Sequence, residues 1–144
     1  YEGLYEQVRQ LPNVNYIGYK PNEYILDHLQ DYKIFPYPNT WEETFCISAL
    51  EALSAGLHMI TTNHGALYET CSEWPVYVNY EKDHKHMAMC FASAINSAAN
   101  YLHRSEVHDF LCAQQDFYSR FYHWEAIGQK WKNFLEGALR ARSK

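Results

Sequence analysis

Apolar residues in this chain recur with two periods, and the change between them divides it. Up to Tyr80, four short apolar runs (V-N-Y-I-G, K-I-F-P-Y-P, L-H-M-I-T-T and P-V-Y-V-N) read as β-strands bounded by Gly, Pro and Asn. Between them lie helical patterns: a polar helix over 2–10, one starting at Asn22 with Tyr24, Ile25, Leu26 and Leu29, one over about 44–55 stopped by Gly56, and a short one in N-H-G-A-L-Y-E-T. From residue 84 onward apolar positions recur only at three and four. Met87, Phe91, Ala94, Ile95, Ala98 and Leu102 form one stripe. Val107, Phe110, Leu111, Phe117 and Phe121 form a second, and Trp124, Ile127, Trp131, Leu135 and Ala138 a third.

Strands alternating with helices predict an α/β fold, a Rossmann-like parallel sheet with the C-terminal helices packed over it. A chain of 144 residues fits one domain, 1–144, able to bury roughly 70% of its unfolded surface. The net charge of −5 offers no basic field for a polyphosphate backbone, so nucleic acid is not an expected partner. Four scattered cysteines, Cys46, Cys71, Cys90 and Cys112, without a C-x-x-C pair, read as reduced core residues of a cytoplasmic protein. No run is long enough to span a membrane, and a start without methionine or signal pattern is expected of a fragment of something longer. The eight histidines show no H-x-x-x-H or H-E-x-x-H spacing, so no metal site is expected. H-K-H at 84–86 reads as a solvated helix start, and F-Y-S-R-F-Y-H-W as packing.

Ligands of open parallel sheets bind beyond the carboxyl ends of the strands. Two segments lie there, N-T-W-E-E-T-F and N-H-G-A-L, each leading into a helix N-terminus whose free amides suit a phosphate. Glu43 stands in the first and Glu51 eight residues later, inside an otherwise apolar helix. Eight helical residues rise about 12 Å, too far for the roughly 5–9.5 Å of a glycosidase acid pair. The two carboxylates fit two grips on one long polyhydroxy ligand, such as a nucleotide sugar. Local pattern alone favours the plainer readings, Glu43 as a first-turn acid favouring the helix dipole, Glu51 as a boundary residue reaching solvent, and His64-Gly65 as a simple turn.

The ordered set P-Y-P-N-T-W-E-E-T-F-C-I-S-A-L-E-A-L-S-A-G, L-H-M-I-T-T and N-H-G-A-L-Y-E resembles the C-terminal half of a GT-B glycosyltransferase of the retaining family 4. The similarity runs from V-N-Y-I-G-Y to F-Y-H-W-E, nearly the whole chain. It implies a donor-binding domain for a nucleotide-diphosphate sugar, needing no metal or other cofactor, and no certain catalytic residue in this half. Glu43, Thr44, Phe45 and Cys46 then meet the donor sugar, with the Thr44 and Phe45 amides facing sugar and diphosphate. Glu51 binds the ribose, and Gly18, Tyr19, His64 and Gly65 lie near base and phosphates. Glu69 matches a later family Glu that is structural.

Two departures stand out: Thr44 and Cys46 replace glycines, and the family's first strand, its Arg and Lys, and the acceptor-binding N-terminal domain are absent from the sequence. The fragment is therefore expected to be inactive alone and to expose Trp131 and Phe134 where the last helix would meet that domain, with self-association as a consequence. The family includes enzymes peripheral to membranes. The rival expectation is a non-catalytic α/β interaction module.

Overall fold

The computed structural model describes residues 1–142. Three strands, β1 (Ile34–Tyr37), β2 (His58–Thr62) and β3 (Val76–Val78), form a parallel sheet in the order β1-β2-β3. Ile34 lies opposite His58 and Ile60 opposite Val76. Central β2 is buried at all five residues, as a continuous H-M-I-T-T run requires when both faces are covered.

The pleat sends neighbouring β2 residues to opposite layers. Met59 joins Ala49 and Leu53 of α3 (Ile47–Ser54), Leu67 and Cys71 of α4 (Leu67–Cys71), and Tyr118 of α6 (Ser105–Phe121). Ile60 and Val78 meet Met87, Phe91 and Ala98 of α5 (His84–Tyr101) on the other face. The mixed α/β architecture, a parallel sheet flanked by helices, is therefore the one the periodicities predict. Full burial of a side chain such as Leu53 or Ile60 contributes about 1.5–3 kcal/mol.

Helix ends follow from local chemistry. Gly56, at φ +78°, ends α3 in a Schellman motif: its amide donates to the Leu53 carbonyl at 3.1 Å and the Leu57 amide to Ala52 at 3.1 Å. From α6, Gln114 Nε2 donates to the carbonyls of Leu53 at 3.0 Å and Leu57 at 3.1 Å, while its Oε1 is buried without a partner. Asp83 caps α5 by accepting from the Lys85 and His86 amides, at 3.0 and 3.2 Å.

Several expectations need correction. V-N-Y-I-G forms no strand, leaving three strands among the described residues. An extended segment gains stability only when a neighbour takes its peptide groups. Instead Tyr16 stacks on Tyr5 of α1 (Glu2–Arg9), ring centroids 5.3 Å apart, with the Arg9 guanidinium 5.0 Å from its ring. The helix expected over 44–55 starts only at Ile47, because Cys46 adopts φ +77°, outside helical space.

All four cysteines are free, but only Cys71 is a buried core residue; Cys46 and Cys90 are half-buried and Cys112 is exposed. Amphipathic stripes specify a face, whereas Cys112 sits at the edge of its helix contact, where solvent reaches. The aromatic run is packing only in part: Tyr118 is buried, but Phe121 and Trp124 are exposed. In α7 (Trp124–Arg142) no residue is buried, and Trp131 and Phe134 are more than half exposed, stacked edge to face on each other. No helix among the described residues is long and apolar enough to cross a membrane.

Candidate functional site

The carboxyl end of the sheet is stitched together by polar side chains. Two consecutive threonines end β2, and their hydroxyls donate to the chain leaving β1: Thr61 to the Tyr37 carbonyl at 3.1 Å and Thr62 to that of Asn39 at 2.9 Å. Asn39 then folds the loop on itself, accepting from the Trp41 amide at 3.0 Å and donating to the Trp41 carbonyl at 2.6 Å. These bonds deliver Glu43 to a fixed place.

Glu43 is half-buried, and its carboxylate accepts a hydrogen bond from the Tyr37 hydroxyl at 2.7 Å. Burial, then the Glu43 carboxylate, then the nearby Cys46 thiol all push the Tyr37 phenol up, so it stays protonated and donates. The backbone of Glu43 is held as firmly: its carbonyl accepts from the Ala66 amide at 2.7 Å. Gly65, at φ +60°, is the reason the two loops meet. A β-carbon there would lie 2.6 Å from the Glu43 nitrogen and 2.8 Å from its oxygen, so only glycine fits.

Between the two glutamates the backbone is rich in unused donors. Among the described residues, none of the amides from Thr44 to Ala49 is bonded to a backbone or side-chain acceptor, and α3 has no side-chain cap. Cys46, in a left-handed conformation, supplies the bend within this run of amides. Glu51 follows one turn into α3, half-buried, accepting from Asn22 Nδ2 of α2 (Asn22–His28) at 3.3 Å. It opens into a cleft of about 530 Å³ lined by Leu26, Phe45, Leu50, Trp124 and Ile127 among others.

The sequence-predicted residues are thus only partly assembled. Glu43 and Gly65 touch through backbone, and Phe45 and Glu51 share the cleft. Thr44 is exposed beside them. His64 turns away to stack on Tyr80, centroids 3.8 Å apart, where Asn63 also binds the Asn79 side chain and the Tyr80 amide. Gly18 takes φ +66° and Tyr19 is 93% exposed; neither touches the glutamates, although Asn22 just after them does. Glu69 is exposed in the first turn of α4.

Sequence reasoning missed Tyr37, Asn22 and the Thr61-Thr62 pair. Their partners lie 6, 29, 24 and 23 residues away, and only the T-T ending of a buried strand hinted that its hydroxyls need acceptors. A larger cavity, about 720 Å³, opens at the amino ends of the strands among Lys33, Gly56, His103 and Cys112, away from all of these residues.

Comparison with known proteins adds one result. The family described as "Glycosyl transferases group 1" matches residues 1–105. No curated protein and no solved structure matches the chain.

Proposed function

This chain belongs to the glycosyl transferases group 1, and on that premise we propose that it is the donor-binding domain of a retaining glycosyltransferase. It takes a nucleotide-diphosphate sugar along the carboxyl end of the sheet and, together with an acceptor-binding N-terminal domain, passes the sugar on with its anomeric configuration kept.

The observation that carries this reading is the row Glu43, unpaired amides Thr44 to Ala49, Glu51. A nucleotide sugar has the same order of needs: hydroxyls on a sugar, negative oxygens on a diphosphate, a diol on a ribose. The Glu43 carboxylate keeps free acceptor capacity beside its bond to Tyr37 and takes sugar hydroxyls. The amides and the positive end of the α3 dipole meet the diphosphate and stabilise the charge that grows on it as the glycosidic bond breaks. Glu51 takes the ribose diol, and Phe45 and Leu26 give the cleft an apolar wall for the base. Gly18 and Tyr19, just before Asn22, belong to the base end of this reading, Gly65 serves its sugar end by holding the Glu43 backbone, and His64, stacked on Tyr80, is left outside it. Neither a metal nor another cofactor is needed, since the backbone donors do the electrostatic work.

Calorimetric titration of UDP- and GDP-sugars into the full protein tests the proposal. Binding should weaken on Glu51→Ala by about 10- to 150-fold, the loss of one charge-assisted contact of roughly 1.5–3 kcal/mol. Absence of binding, or binding indifferent to Glu51→Ala, would overturn it and favour a non-catalytic interaction module.

A further inference from the structure

Away from the candidate donor site, three side chains form a line at the start of α5. Glu81 lies in the loop before the helix, His86 in its first turn and Cys90 one turn later. The Glu81 Oε2 is 2.7 Å from His86 Nδ1, and His86 Nε2 is 3.8 Å from Cys90 Sγ. A carboxylate can only accept, so in the neutral imidazole Nδ1 carries the proton and Nε2 is left facing the thiol as an acceptor. Nucleophile, base and a group that orients the base therefore stand in the order used to activate thiols.

The other three cysteines lack this arrangement. Cys112 has a histidine in the same helical register, with His108 Nε2 3.6 Å from its Sγ, but among the described residues no carboxylate holds His108. Cys71 is fully buried and its thiol is pushed up to about 12, first by burial and then by the nearby Cys46. Cys46 faces the Tyr37 phenol, which is no base. Cys90 is half-buried, with its helix face turned partly to solvent.

We propose that Cys90 is a reactive thiol, activated by His86 and Glu81, that undergoes exchange with small disulfides of the glutathione type. Cys90 Sγ passes its proton to His86 Nε2 and attacks one sulfur of the disulfide. The disulfide's S–S bond breaks as the Cys90–S bond forms, and the departing thiolate takes the proton back from His86. Cys90 ends oxidised as a mixed disulfide and one small thiol is released, so no further oxidant enters. The resulting imidazolium is stabilised by Glu81, whose hydrogen bond is the main reason the His86 imidazole holds its proton more tightly than usual, with Asp83 adding to it. Lys82, His84 and Lys85 are the other charged or titratable groups of this loop and first turn. On the sheet side the nearest titratable residue in sequence is Tyr80, which packs against the same apolar cluster as Cys90.

The inference is tested on the full chain at pH 7 by mass spectrometry of all four cysteines during timed reaction with oxidised glutathione, and separately with limiting iodoacetamide. Cys90 should react roughly 10-fold faster than Cys112, and Cys71 slowest, because thiolate fraction and access set the rate. His86→Gln should bring Cys90 to the Cys112 rate without altering Cys112, and Glu81→Gln should slow it by a smaller factor. His108→Gln should leave Cys90 unchanged. The comparison of Cys90 with Cys112 needs no variant, so it stands even if one folds poorly. Equal rates for the two in the unaltered chain, or a Cys90 rate that survives His86→Gln in a folded variant, would overturn the proposal.

Discussion

Replacing Cys46 by glycine and by alanine separates backbone strain from side-chain packing at the bend before α3. Both variants lose the thiol and its contacts with the cluster around Met59 and Leu53, so the difference between them reports the strain at φ +77° set against glycine's freer unfolded chain. A left-handed conformation costs an L-residue about 1–2 kcal/mol, which alanine retains and glycine escapes. Glycine in turn loses about 0.4–1 kcal/mol through its freer unfolded chain. The net expectation is that Cys46→Gly is about 1 kcal/mol more stable than Cys46→Ala. With a urea slope of about 2 kcal/mol per molar, the midpoints should differ by about 0.5 M, and melting temperatures by roughly 2–4 °C. Urea titrations followed by tryptophan fluorescence and far-UV circular dichroism measure both. Equal midpoints, or alanine above glycine, would refute the strain. The unaltered chain should not lie below Cys46→Ala, because it keeps the same backbone and adds the packing of sulfur.

Gly65→Ala should destabilise by about 1–3 kcal/mol, since a β-carbon strikes the Glu43 backbone rather than a movable side chain, and it should weaken nucleotide-sugar binding together with stability. Retained midpoint and affinity would show that the loops separate freely. His58 is buried, its pKa lowered from 6.5 by desolvation, and its Nε2 is 2.9 Å from the Tyr101 hydroxyl. The unfolded chain therefore binds more protons below pH 6.5, so the urea midpoint should fall as pH drops from there, and a flat midpoint between pH 5 and 7 would contradict this burial. At the alkaline side the Cys71 thiol, raised from 9.0 to about 12, and the Tyr37, Tyr77 and Tyr118 phenols, raised above 10.0, are all protonated longer in the folded chain. Stability should fall as pH rises past 9, with tyrosinate absorbance appearing cooperatively on unfolding; independent titration near the ordinary phenol range while still folded would refute it. Trp131→Asp should reduce self-association in sedimentation velocity, because Trp131 and Phe134 form an uncovered aromatic pair on α7.

Periodicity was enough for the parallel sheet and the three long helices, because burial on both faces leaves continuous apolar runs and burial on one face leaves stripes. It failed at V-N-Y-I-G, whose pattern suits a strand but whose pairing depends on a neighbour that no local signal reports. Glu43 and Glu51 were legible as oddities, a carboxylate in a loop and another in an apolar helix. Their supports were not, since Tyr37 and Asn22 reach them across folded distance, and Gly65, singled out for the base and phosphates, instead abuts the Glu43 backbone. The start of α3 was misplaced by three residues for a related reason. Thr44, Phe45 and Cys46 carry no breaker, and the left-handed turn at Cys46 is imposed by tertiary position against its own preference. The H-K-H segment read as a solvated helix start, and its three residues are indeed exposed there. Only the geometry shows His86 joined to Glu81 and Cys90.

Gln114 bears on how the chain matures during synthesis. The carbonyls of Leu53 and Leu57, at the turn from α3 into β2, wait for an amide 61 and 57 residues further on. On a ribosome the sheet and α3 emerge well before α6, and until then this turn keeps its water. Docking of α6 replaces that water with Gln114 and seals Tyr118 against the Thr70 and Cys71 carbonyls. The strands can therefore pair early, but the layer beneath α3 closes only after residue 118 has left the exit tunnel. Nascent chains halted before that point should leave the Cys71 thiol, which packs with Tyr118, open to alkylation, and those halted well beyond it should protect it.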